Sequence, residues 1–166
     1  MKTVSQNSTK GAEFIVKELI SEKIFTPEDF SDEQILMKDS VKDFVDREII
    51  AERSRFENKD YKYTKEVMQK AGKLGFLSVG VPEEYGGMGM SFTSTMLVCE
   101  YISGANGSFS TAFGAHTGIG TMPIVLYGNE EQKSEYVPKL ASGEWFGSYC
   151  LTEPGAGSDA NSGKTV

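Results

Sequence analysis

The sequence is poor in the residues that build covalent or metal frameworks, and it has no excess of positive charge. Cysteine occurs only at Cys99 and Cys150, in apolar segments without CxxC spacing, which excludes a disulfide framework or a zinc site. Free thiols fit a reducing compartment. No run approaches the roughly 18 uninterrupted apolar residues of a membrane span. The opening MKTVSQNSTK has neither the apolar core of a signal peptide nor an arginine-rich transit pattern. These absences point to a cytoplasmic protein. With 17 basic against 24 acidic residues the net charge is −7, which opposes adsorption to nucleic acid or to anionic membranes. The single histidine, His116, is the one imidazole to consider for proton transfer near neutrality. Its glycine-rich apolar setting favours a packed role instead.

What is present is enough for a core. The 166 residues are 39% hydrophobic and 11% aromatic, the composition of one globular domain. Phe14, Ile15, Glu18 and Leu19 sit at helical spacing and predict a short opening helix before TPEDFS. Ser31 with Gln34 three residues on forms a capping box, and Met37, Val41, Phe44, Val45 and Ile49 then predict an amphipathic helix to about Arg53. Thr64 is placed to cap the next helix, which carries Val67, Met68, Ala71 and Leu74 on one face and ends at Gly72 and Gly75. FLSVGVPEEYGGMGM reads as a loop, since Pro82, Gly86 and Gly87 interrupt any regular element.

Ser91 begins a third helix through Met96, Leu97, Tyr101 and Ile102, broken around 104–107. The following apolar segment, SFSTAFGAHTGIGTMPIVLYG, holds Gly114, Gly118 and Gly120, each costing a helix about 1 kcal/mol relative to Ala. Such a cost makes sense where a neighbouring helix or a ligand approaches the backbone. Asn129 and Gln132 form another capping box, with Glu130 and Glu131 in the first turn. Pro138 predicts an end or a kink near Val137. Beyond Gly143, EWFGSYCLT has aromatic residues and no polar helical face, and it predicts a buried strand.

That strand leads into EPGAGSDANSG, whose glycines leave backbone N–H groups free to face an anion or a cofactor. A tight turn between strands explains the same composition. Gly155, Gly157 and Ala160 also match GxGxxA, but a dinucleotide fingerprint needs a helix to begin inside the motif. The following NSGKT has no helical period.

YCLTEPGAGSDA at 149–160 resembles the first signature of the acyl-CoA dehydrogenases. PEEYGGMGMS, GAHTGIGTMPI and YGNEEQKSEYVPKLASGE precede it in the family's order and spacing, so the resemblance runs from about Phe30 onward. It implies a mainly α chain: residues 1–30 as an extension with a short helix, 31–143 as the family's N-terminal helical domain, and 144–166 as the first strand and start of its middle β domain. The family's fold continues with a C-terminal four-helix bundle, and FAD lies between the last two domains. The implied reaction is α,β-dehydrogenation of an acyl-CoA thioester to a trans-2-enoyl-CoA in fatty-acid β-oxidation, with electron-transferring flavoprotein as acceptor and a homotetramer as the assembly. The catalytic carboxylate belongs to the bundle, and nothing in this chain matches it.

Carried over by position, the resemblance assigns Tyr149, Leu151 and Thr152 to the flavin ring, with the Thr152 hydroxyl near N5. Ser158 takes the FAD pyrophosphate and the CoA ester, while Glu153 and Asp159 are structural. Gly114, Ala115 and Gly118 would leave the far end of an acyl pocket open, and GAHTGIG looks most like long-chain and very-long-chain members. Two alternatives share these residues. One is an acyl-CoA oxidase or flavin monooxygenase of the same architecture, and the other is a helical binding module without chemistry.

Overall fold

A computed structural model describes residues 13–18 and 25–165. Its described elements are helical throughout, in line with the helical domain expected. The opening helix, α1 (Glu13–Val16), is a single turn with Ile15 and Val16 exposed. Leu19, part of the pattern that predicted it, lies outside the described residues.

Helix α2 (Asp32–Val45) starts as the capping box requires, with Ser31 Oγ accepting from Gln34 N and Gln34 Oε1 accepting from Ser31 N. Its apolar stripe of Met37, Val41, Phe44 and Val45 is buried. The helical path then widens into a π turn over Asp46–Ile50 and resumes as α3 (Arg53–Glu57). A π turn shifts the hydrogen-bond register, and the Tyr63 hydroxyl donates to the Glu48 carbonyl within it at 2.9 Å.

Helix α4 (Tyr61–Lys73) begins four residues earlier than a cap at Thr64 would place it. Asp60 is the cap: its Oδ1 accepts from Tyr63 N at 2.9 Å, while its Oδ2 holds the Arg55 guanidinium. Thr64 sits inside the helix and spends its hydroxyl on the Asp60 carbonyl. The choice falls to Asp60 because a carboxylate at the N-terminus also answers the helix dipole. Gly75, with φ of +81°, supplies the left-handed exit that a side chain disfavours. Gly72 serves a different purpose, since a Cβ there would lie 2.3 Å from the Ser142 carbonyl oxygen.

The predicted loop 76–90 folds back on itself through Met88 N to Ser78 O, Gly89 N to Val81 O and Met90 N to Val79 O. Ser91 then caps α5 (Phe92–Ser103), and Asn106 caps α6 (Gly107–Gly114) through Phe109 N. A second π segment, Ala115–Gly120, joins α6 to α7 (Met122–Tyr127). Asn129 and Gln132 close their capping box on α8 (Glu130–Ala141). This helix runs through Pro138 without stopping. Proline removes one donor, but Val137, Leu140 and Ala141 around it are buried, and their burial outweighs one lost hydrogen bond at an exposed turn.

Helices α2, α4, α5 and α6 enclose the main core, in which Phe56 packs edge-on against Phe109 and Phe44 against Phe76. A smaller cluster of Val81, Tyr85 and Val137 ties the 76–90 loop to α7 and α8. Tyr85 also donates to Glu130 Oε2 at 2.7 Å, and that bond holds its phenol up to about 12.

The predicted strand is where the structure departs from expectation. Among the described residues 145–152 carry no ladder, and the β pairing beyond them is one isolated bridge, Glu153 with Ala156. A strand exists by pairing with another. The apolar aromatic run is here without a partner strand, and Trp145, Phe146, Tyr149 and Leu151 stand exposed.

Candidate functional site

Two segments carry the residues singled out in the sequence, and the structure brings their near ends together. The first is the π segment Ala115–Gly120 with the end of α6. Gly114 is exposed, Ala115 and Gly118 are half-buried, and a Cβ on Gly114 or Gly118 would meet nothing within 4 Å. Ile119 adjoins them, 54% exposed. These residues form an open, small-residue face. π segments are frequent at functional sites because the extra residue in the turn re-aims the side chains around it. Ile119 was missed in the sequence because helical spacing assigns an isoleucine to a core before a binding face.

The opposite face of the same segment is closed. His116 is 1% exposed and Thr121 is fully buried, its hydroxyl donating to the His116 carbonyl at 2.7 Å. Gly147 N donates to His116 Nδ1 at 3.0 Å, and Nε2 lies 3.1 Å from the Leu140 carbonyl oxygen. A donor at Nδ1 requires that nitrogen to be bare, so the proton sits on Nε2 and points at Leu140. The imidazole is neutral, and burial pushes its pKa below the ordinary value, partly offset by the Leu140 carbonyl. It is a packed histidine, with Phe146 edge-on at 5.6 Å between centroids.

Gly120 is the glycine that meets another backbone. A Cβ there would lie 2.5 Å from the Gly147 carbonyl carbon, and one on Gly147 would lie 2.8 Å from that of Gly120. The sequence expected a close approach along 114–120, and within this chain it is realised at Gly120 alone.

The second segment, 145–165, leaves α8 with Trp145 N bonded to Lys139 O and the Lys139 ammonium 4.0 Å above the indole. Downstream of Gly147, Tyr149 is 56% and Leu151 46% exposed, and Thr152 and Ser158 are exposed as well. Glu153 closes the glycine-rich loop. Its carboxylate accepts from Lys164 N and Thr165 N at 2.8 and 3.0 Å, which depresses its pKa. Asp159 bonds the Ser162 hydroxyl. Both carboxylates are thus engaged locally. Only a single 3₁₀ turn, Ala160–Ser162, follows the GxGxxA match, so the helix that a dinucleotide fingerprint needs does not begin there.

The loop is therefore shaped before anything binds it. Gly155 and Gly157 have open space where a Cβ would stand, while an exposed apolar row and the Thr152 and Ser158 hydroxyls lie beside them. These residues fit a flat, partly apolar, phosphate-bearing group such as FAD. A profile of the acyl-CoA dehydrogenase N-terminal domain matches residues 31–144. The chain belongs to the acyl-CoA dehydrogenase family. It is 44% identical over 157 residues to a probable acyl-CoA dehydrogenase of Bacillus subtilis, covering 95% of this chain and 26% of that protein. The crystal structure of a Bacillus anthracis acyl-CoA dehydrogenase complexed with FAD matches at 45% identity and a TM-score of 0.86, over 95% of this chain and 27% of that one. A chain in a structure described as an electron transferring flavoprotein of Acidaminococcus fermentans matches at 31% identity and a TM-score of 0.71, over 82% of this chain and 36% of that one. This acyl-CoA dehydrogenase family chain thus spans about a quarter to a third of the proteins it resembles.

Proposed function

We propose that this chain is the front part of an FAD-dependent enzyme that α,β-dehydrogenates acyl-CoA thioesters to trans-2-enoyl-CoA in fatty-acid β-oxidation, working in the cytoplasm as a homo-oligomer. Residues 31–143 form its helical domain and 144–166 begin its middle β domain. The observation that carries the reading is the segment 149–158, in which Tyr149, Leu151, Thr152 and Ser158 stand exposed around a preshaped glycine loop, in a chain of this family that also carries an open small-residue face at Gly114, Ala115 and Gly118.

Each residue has a role its chemistry suits. Tyr149 and Leu151 would lie against the flavin ring, and the Thr152 hydroxyl would donate to it where negative charge develops. Ser158 offers a hydroxyl to phosphate or to the CoA ester. Gly114, Ala115 and Gly118 leave room for an acyl chain, and the open space beside them favours a long one. FAD, when bound, supplies the hydride acceptor. The carboxylate that takes the α-proton lies outside this chain, and electron-transferring flavoprotein is the proposed acceptor of the electrons.

The test is anaerobic flavin bleaching by acyl-CoA thioesters of graded length in the full-length protein, followed by the Thr152→Val variant. A hydrogen bond to developing charge is worth about 1.5–3 kcal/mol, so reduction should slow by roughly 10- to 100-fold. An unbleached flavin sinks the dehydrogenase reading, and a variant within twofold of the parent sinks the role of Thr152. Aerobic release of hydrogen peroxide during turnover would favour an oxidase instead.

A further inference from the structure

The geometry points to His116 as a positioning residue that sets the register between the acyl-facing segment and the flavin-facing segment, by accepting from Gly147 N on Nδ1 and donating from Nε2 to Leu140 O. The meaning of the two faces rests on the proposed function; the coupling itself does not. Three elements meet at this one ring. Its own backbone belongs to the π segment Ala115–Gly120, Leu140 belongs to the last turn of α8, and Gly147 stands two residues before Tyr149.

The contact is built for one imidazole state. Thr121 Oγ1 holds the His116 carbonyl, Phe146 covers the ring edge, and Gly120 and Gly147 touch backbone to backbone beside it. Neither glycine tolerates a Cβ at that distance, so the two segments meet in one register. Protonation of Nδ1 would turn its acceptor into a second donor facing the Gly147 N–H, and the bond would be lost. Burial pushes the His116 pKa down and the Leu140 carbonyl partly offsets it, with no charged side chain among the causes. On α8 the Lys139 ammonium, next in sequence to Leu140, is held over the Trp145 ring.

The chain has one histidine and one tryptophan, His116 and Trp145, two residues from Gly147, so each end of the contact has its own reporter. The experiment uses the whole 166-residue chain. Nitrogen NMR of the imidazole reads the tautomer, and Trp145 fluorescence and amide exchange at Gly147 read the segment. Far-UV circular dichroism follows the helices. The expected results are an Nε2–H imidazole at pH 7.5 and a red shift of Trp145 emission that tracks imidazole protonation below pH 6.5 with the helices intact.

His116→Gln keeps an acceptor and a donor, so it should retain the parent emission at pH 7.5 and lose the pH response. His116→Phe keeps bulk and loses both bonds, and should speed exchange at Gly147 about tenfold at constant pH, as expected for one buried hydrogen bond. An Nδ1–H tautomer, or a Trp145 transition that persists unchanged in His116→Gln, overturns the proposal. If His116→Phe fails to fold, the tautomer and the glutamine variant decide alone. None of these readouts involves flavin, so failure here and failure of the dehydrogenase reading are separate results.

Discussion

At the scale of the residue, the burial of a neutral imidazole makes stability depend on pH. The folded-state pKa of His116 lies below its ordinary value of 6.5, whereas in the unfolded chain it returns to about that value. The unfolded state then binds more protons once the pH falls below 6.5, and stability falls with it. The contribution is complete above the ordinary value, declines as pH drops through the window beneath it, and levels off once the folded form also protonates. Urea unfolding at pH 7.5 and 5.5 should show a larger loss for the parent than for His116→Gln. Equal losses would mean that the imidazole is not held neutral. Reading His116 as a packed residue was possible from its apolar, glycine-rich neighbours. Its partners were not readable, because Leu140 and Gly147 lie 24 and 31 residues away.

At the scale of the element, caps were the most readable feature. Ser31, Ser91 and Asn129 start α2, α5 and α8 as their sequence positions suggest, since the cap bond spans only three residues and needs no tertiary partner. Thr64 and Pro138 misled for a shared reason. Local rules allowed a start at Thr64 and an end or a kink near Val137, but the Asp60 carboxylate took the cap and α8 runs on past Val137 to the buried Leu140 and Ala141.

The glycines of the π region divide in the same way. Gly120→Ala would drive a methyl into the Gly147 backbone, an overpacking that costs about 1–3 kcal/mol and should loosen Trp145. Gly114→Ala meets open space and should gain up to about 1 kcal/mol from helix propensity. Thermal unfolding of the two variants checks the contrast; a Gly120→Ala protein as stable as the parent would mean that the two backbones can part freely. In the full-length enzyme the Gly114 methyl would also enter the proposed acyl face, and bleaching by the longest thioesters should weaken first.

At the scale of the whole molecule, the helical part buries its own faces while the segment after Gly147 leaves its aromatic and hydroxyl groups open. The segment offers a flavin one open side and few hydrogen-bonding groups, short of the enclosure that holds a cofactor tightly. The 166-residue chain should therefore lose FAD on desalting after reconstitution with excess cofactor, and acyl-CoA should produce no bleaching. Stoichiometric retained flavin absorbance would show that the ring is held by this chain alone.

The sequence by itself determined the helical class, the main caps, the apolar stripe of α2, that of α4 except for Leu74, which stands exposed past the helix end, and the family signature at 149–160, because each is written in residues at most a few turns apart. Tertiary structure alone decided that Gly120 rather than Gly114 or Gly118 takes the backbone contact, that Glu153 clasps the loop, and that His116 joins three segments. It also left the aromatic run after Gly143 without a ladder. A helix satisfies its backbone within its own span, whereas a strand and a packed histidine take their partners from distant parts of the chain, which local pattern does not encode.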